Sequence, residues 1–100
     1  MISLKQGVKM EPLQPQIILG LLAVSSVYKE HGYDLVITSL SDGIHRPDSL
    51  HCRGCAVDLR TRHVAGRDIV RLVDAVRTAL GSDFDVVLEA DHLHIEYQPK

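Results

Sequence analysis

Near the C-terminal end, His92-Leu93-His94-Ile95-Glu96-Tyr97 alternates polar or ionisable side chains with apolar ones. This alternation constrains the fold more than any other feature of the chain. On a helix it would scatter both kinds of side chain around the axis, whereas a strand sorts them onto opposite faces. Leu93, Ile95 and Tyr97 then look into a core, while His92, His94 and Glu96 share the other face. Residues 56–61 behave alike: Val57 and Leu59 point inward, and Ala56, Asp58 and Arg60 lie on the opposite side. The sequence therefore predicts a sheet with one apolar face and one that carries imidazole, carboxylate and guanidinium groups.

The rest of the chain supplies the cover for the apolar face. From Pro15 to about Glu30, Ile17, Leu21, Val24 and Tyr28 recur at helical spacing. Pro15 suits the first turn and His31-Gly32 the stop. Gly20 inside this helix costs about 1 kcal/mol against Ala and implies a close packing contact. A second helix is expected over residues 67–80, with Ile69, Leu72, Val73, Val76 and Leu80 as its apolar stripe. Asp68, Arg71, Asp74 and Arg77 form its solvated side, and Gly81 ends it. Residues 35–39, 84–89 and 93–97 read as further strands, the last two joined by a tight turn around Asp91. Residues 1–12 read as an extended arm or short strand, and residues 40–50 as a loop rich in Ser, Asp, Gly and Pro. The order helix, strand, strand, helix, hairpin predicts an α+β fold with a small, mainly antiparallel sheet of about four strands.

At 100 residues, 45% of them hydrophobic, the chain is long enough for one domain with a single core. A formal net charge of −2 with scattered Lys and Arg gives no footprint for nucleic acid. The apolar run 17–27 is too short to span a bilayer. As a signal peptide it would be interrupted by Glu11, Pro12 and Pro15 and lacks a small-residue cleavage site, so no export signal is expected. The chain reads as a soluble monomer made in the cytoplasm. Its two cysteines, Cys52 and Cys55, are spaced as Cys-x-x-Cys, open to a redox pair, half of a zinc site, or two small buried thiols. The motif runs into a strand rather than a helix, which disfavours a thioredoxin-like site.

Two clusters carry the chemistry. In Ser49-Leu50-His51-Cys52-Arg53-Gly54-Cys55-Ala56-Val57-Asp58, an imidazole and a carboxylate are separated by a Gly turn. In Asp91-His92-Leu93-His94, a carboxylate precedes two imidazoles. Two His and one Asp converging on one cation leave a coordination position open, as catalytic zinc sites require. A carboxylate beside that position can act as general base.

The pattern Ser49-x-His51-x-x-Gly54-x-Ala56-x-Asp58, followed by Asp91-x-x-His94, resembles the zinc D-Ala-D-Ala peptidase family. That family includes D,D-carboxypeptidases, D,D-dipeptidases and phage L-alanyl-D-glutamate endopeptidases, and shares a wider fold group with lysostaphin-type peptidases and hedgehog domains. The resemblance, over residues 35–97, implies a short sheet with helices on one face and zinc on the other. It implies one zinc ion per chain, held by His51, Asp58 and His94, with Asp91 as general base. The three-residue spacing from Asp91 to His94 selects His94 over His92. It further implies a peptidoglycan stem peptide as substrate, cut beside a D-amino acid at the cell wall, as in phage lysis or entry from a virion. The family's Ser-Gly-Tyr-Arg segment is replaced by Thr38-Ser39-Leu40-Ser41-Asp42-Gly43-Ile44-His45-Arg46, so Arg46, His45 or Arg60 is expected to take the substrate-facing cationic role. Ser49 is expected to orient the His51 loop or bond the substrate. The altered arginine segment also leaves a second reading, a catalytically weak zinc module that binds cell-wall peptide.

Overall fold

The computed structural model describes residues 2–8, 13–41 and 55–99. In chain order its elements are β1 (Ile2–Leu4), α1 (Pro15–Glu30), β2 (Leu35–Ser41), β3 (Ala56–Arg60), α2 (Ile69–Leu80), β4 (Phe84–Leu88) and β5 (His92–Tyr97). The fold is α+β, with two helices and a sheet of five strands ordered β1-β2-β3-β5-β4. The expectation of about four strands is corrected by one: the N-terminal residues form β1, which pairs parallel with β2. A parallel pair needs a long crossover, and α1 supplies it. All other pairings are antiparallel. Among the described residues, no helix is long and apolar enough to cross a membrane.

Both helices cover one face of the sheet. Ile17, Leu21, Val24 and Tyr28 from α1 and Leu72, Val73 and Val76 from α2 form one cluster with Val57, Leu59, Leu93 and Ile95 of the sheet. Leu59 and Leu93 have no exposed surface. A slip of β5 by one residue against β3 would turn Leu93 and Ile95 outward, each losing about 1.5–3 kcal/mol of burial. The core thus locks the register that matters on the opposite face.

Local chemistry sets the ends of the helices. α1 has Pro at its start and ends at His31, whose ring N–H donates to the Val27 carbonyl at 2.9 Å. Gly32 follows at φ +85°, and the Tyr33 N–H returns to the Tyr28 carbonyl at 2.9 Å, a left-handed glycine cap. α2 begins two residues later than the expected Arg67. Asp68 makes no side-chain cap there, because its carboxylate accepts the Tyr33 hydroxyl at 2.5 Å. Gly20 lies against α2 and β4 as expected: a Cβ there would stand 3.2 Å from both Leu80 Cδ2 and Phe84 Cε2.

Strand β2 runs to Ser41, beyond the expected Ser39, and carries an irregularity between Ile37 and Ser39. A regular strand would send Ile37 and Leu40 to opposite faces. The bulge resets the alternation, so that both are buried in the core. It also leaves Thr38 on the open side, where its hydroxyl donates to the Asp58 carbonyl at 3.2 Å.

Tyr28 is fully buried, and its hydroxyl has no hydrogen-bond partner among the described residues. Burial pushes its pKa up to about 12. A desolvated, unpaired hydroxyl is a cost that phenylalanine avoids at the same shape. Tyr28→Phe is therefore expected to raise stability by about 1 kcal/mol, read as a shift in the urea midpoint at unchanged slope. A loss of stability would mean that the hydroxyl is paired in solution.

Candidate functional site

The open face of the sheet gathers the ionisable residues. Asp58 in β3 stands directly opposite His94 in β5, and Arg60 opposite His92. His94 Nδ1 lies 2.7 Å from Asp58 Oδ1, and its Nε2 lies 3.1 Å from Glu96 Oε1. Glu96 is only 3% exposed and also accepts the Gln98 side-chain amide. Two carboxylates thus grip the two nitrogens of one ring. The hydrogen bond to Asp58 pushes the His94 pKa up to about 9, with Glu96 adding to the rise and burial opposing it. At neutral pH the metal-free ring is an imidazolium that donates to both carboxylates.

His92 lies on the same face, one strand step from His94. Its Nδ1 is 2.8 Å from Asp91 Oδ1, and its Nε2 is 3.9 Å from Asp58 Oδ1. Asp58 is thereby flanked by both imidazoles, but only His94 is within hydrogen-bond distance. The Asp91 side chain is 80% exposed at the β4–β5 turn. Its pKa is lowered, chiefly by the hydrogen bond from His92, with a smaller contribution from the nearby Arg62. Asp91 therefore stays in the proton-accepting form throughout the neutral range, at the cost of some basicity.

Of the residues singled out in the sequence, Asp58, Arg60, Asp91 and His94 are brought to this face. His45, Arg46, Ser49 and His51 lie outside the described residues. Among the described residues, no group of three or more His, Cys, Asp or Glu is arranged to hold a metal ion. The cross-strand pair nevertheless offers two donors suited to zinc, one carboxylate oxygen and one imidazole nitrogen. Zinc bonds of about 2.0–2.2 Å put two ligand atoms of a tetrahedral ion about 3.3 Å apart, so a small widening of the 2.7 Å pair admits one. The outer His94 nitrogen faces a buried carboxylate, the arrangement that orients metal-binding histidines.

Of the three readings of the cysteines, two buried thiols and half of a zinc site are corrected at Cys55. It is not a free thiol but is disulfide-bonded, and fully buried at the head of β3. A disulfide sulfur is not a thiolate and offers no zinc ligand. Cys52 lies outside the described residues.

Glu96 was legible in the sequence only as a polar position in an alternating strand. Its hold on His94 emerges from burial beside Gln98 and from the two neighbouring strands, since Glu96 sits opposite Ala56 on one side and Asp85 on the other. Glu96→Gln keeps the shape and removes the charge. It is expected to lower the His94 pKa from about 9 and to weaken zinc binding by about 10–100-fold. Imidazole NMR titration and zinc competition read the two effects. An unchanged His94 pKa would reduce Glu96 to a packing role.

No protein-family model matches the sequence, and no curated protein matches it.

Proposed function

We propose that the protein is a zinc-dependent peptidase that hydrolyses a peptide bond next to a D-amino acid in peptidoglycan stem peptides. The observation that carries this is the cross-strand Asp58–His94 pair, 2.7 Å apart, with the buried Glu96 on the outer ring nitrogen. The sequence pattern around it, from Ser49 to Asp58 and from Asp91 to His94, supplies the reaction class by resemblance. His51, Asp58 and His94 hold one ion per chain.

Zinc bound there supplies a Lewis acid that polarises an amide carbonyl and brings the pKa of water to about 7. The chain's own residues do the rest. Asp58 would contribute a carboxylate oxygen and His94 its inner nitrogen to the ion, while Glu96 fixes the outer His94 nitrogen. Asp91, ionised and exposed, accepts the proton of the attacking water and can return it to the leaving amine. His92 holds the Asp91 carboxylate in place through its 2.8 Å contact. Arg60, on the same face as Asp58, meets an anionic part of the substrate. Arg46 and His45 are further cations for that task, and Ser49 orients the His51 segment or bonds the peptide. The protein acts at the cell wall, reached by phage lysis from within or from a virion, and works as a monomer.

Digestion of purified peptidoglycan by the zinc-loaded protein, with the new termini identified by mass spectrometry, tests this reading. New termini beside D-alanine or D-glutamate are expected. A folded, zinc-loaded protein that binds stem peptide and releases no fragments would instead be a cell-wall peptide-binding module, the reading favoured by the replaced arginine segment.

A further inference from the structure

On the open face, a concavity of about 260 Å³ begins at Asp58, Asp91 and His92 and extends across the sheet to Lys5, Thr38, Arg60 and Arg62. Its far wall is cationic and assembled from distant parts of the chain. Lys5 follows β1, where its backbone N–H bonds the Ile37 carbonyl at 2.8 Å. Arg60 ends β3, and Arg62 lies just beyond it, where the Thr61 N–H reaches the Asp91 carbonyl at 3.4 Å. Among the described residues, the side chains of Lys5, Arg60 and Arg62 have no ion-pair or hydrogen-bond partner. Three cations lining one concavity, of which only Arg62 acts on a described carboxylate, Asp91, are a site for an anion.

We propose that this wall binds the free C-terminal carboxylate of a short peptide, so that the site removes terminal residues rather than cutting within a stem. Charge favours a monoanion. In the metal-free protein, Lys5, Arg60 and Arg62 against Asp58 and Asp91 leave one positive charge in excess among these lining residues, which one carboxylate offsets. A phosphate, carrying about −1.5 to −2 at neutral pH, would face both carboxylates with excess charge. Size agrees: the volume lies below the roughly 300–1,000 Å³ of sites for drug-sized ligands and suits one or two small residues.

Spacing agrees as well. Asp58 and Arg60 are two residues apart on one strand, about 6.7 Å. One extended residue spans about 3.3–3.6 Å, and a charge-assisted hydrogen bond adds about 2.8 Å. A carboxylate held at Arg60 therefore sets the last peptide bond of its chain beside Asp58. Thr38, between Lys5 and Asp58, offers a hydroxyl to the same end of the peptide.

The assignment rests on the peptidase reading for which bond is cut, but not for which group is bound, and the two are tested apart. The metal-free protein is titrated with N-acetyl-D-alanyl-D-alanine, with its C-terminal amide and with inorganic phosphate, followed by backbone NMR shifts. The acid is expected to bind at least about tenfold more tightly than the amide, with shifts centred on Thr38, Arg60 and Arg62. Arg60→Gln and Arg62→Gln should each bring the acid towards the amide. Salt at about 1 M, where the Debye length is about 3 Å, should weaken the acid alone. Equal binding of acid and amide, absence of binding, or tighter binding of phosphate would each overturn the carboxylate subsite. Binding as expected without peptidoglycan hydrolysis by the zinc-loaded protein would sink the peptidase reading and leave the subsite standing. Full-rate hydrolysis of C-terminally amidated peptides would do the reverse.

Discussion

Protein loaded with zinc and freed of excess metal should retain one ion per chain, while His51→Ala, Asp58→Ala and His94→Ala should each retain none. For Asp58 and His94 the basis is the register of β3 and β5, which sets the two side chains opposite one another with donor atoms 2.7 Å apart. A catalytic zinc site with three protein ligands has little redundancy, because removing one leaves two donors and solvent. His92→Ala serves as the control. Its Nε2 stands 3.9 Å from Asp58 Oδ1 and its other nitrogen is committed to Asp91, so most of the metal should remain. A Cys52→Ser, Cys55→Ser double variant should also keep its metal, since the sulfur of Cys55 is already spent in a disulfide. Metal analysis by mass spectrometry on folded, purified variants decides the matter. Loss of metal in His92→Ala with retention in His94→Ala would exchange the roles of the two imidazoles. Failure of the parent protein to hold any zinc would remove the basis of the peptidase reading.

Replacing Asp91 by Asn should cut turnover by about 10²-fold or more while leaving zinc content and stability close to the parent's. The substitution isolates basicity. Asparagine suits the β4–β5 turn as aspartate does, and its carbonyl oxygen can still accept the His92 ring N–H now 2.8 Å from Asp91 Oδ1. Only the capacity to take a proton is lost. The side chain is largely exposed, so no buried charge is stranded and no fold penalty is expected. The hydrogen bond from His92 lowers the Asp91 pKa, so the parent carboxylate is ionised at neutral pH, and its own protonation limits turnover only well into the acid range. Initial rates on peptidoglycan, with zinc content measured on the same samples, supply the readout. Undiminished hydrolysis by a zinc-loaded Asp91→Asn protein would transfer the base to another carboxylate, with Glu89 and Glu96 the nearest in sequence.

The sequence by itself determined what short-range periodicity can encode. The two-residue alternation of β3 and β5 assigned Asp58, Arg60, His92, His94 and Glu96 to one face, and the helical stripe through Ile17, Leu21, Val24 and Tyr28 assigned α1 to the core. Those assignments follow from backbone geometry within a segment, so they need no knowledge of its neighbours. Which residue stands opposite which is a different kind of fact. The alternation permits any even shift of β5 against β3, and each would keep the same faces while separating Asp58 from His94. Only the shared core of Leu59, Leu93 and the two helices, together with the β4–β5 turn, selects the observed register. The bulge in β2 is of the same kind: burial of both Ile37 and Leu40 overrides the strict alternation of the strand. Tertiary structure also decided that β1 joins the sheet in parallel, carrying Lys5 across more than fifty positions of sequence to Arg60. Glu96 shows the limit most plainly. Its place on the polar face was legible from its neighbours in sequence, but its burial against His94 was not, because burial of a charge depends on what the rest of the chain brings to cover and pair it.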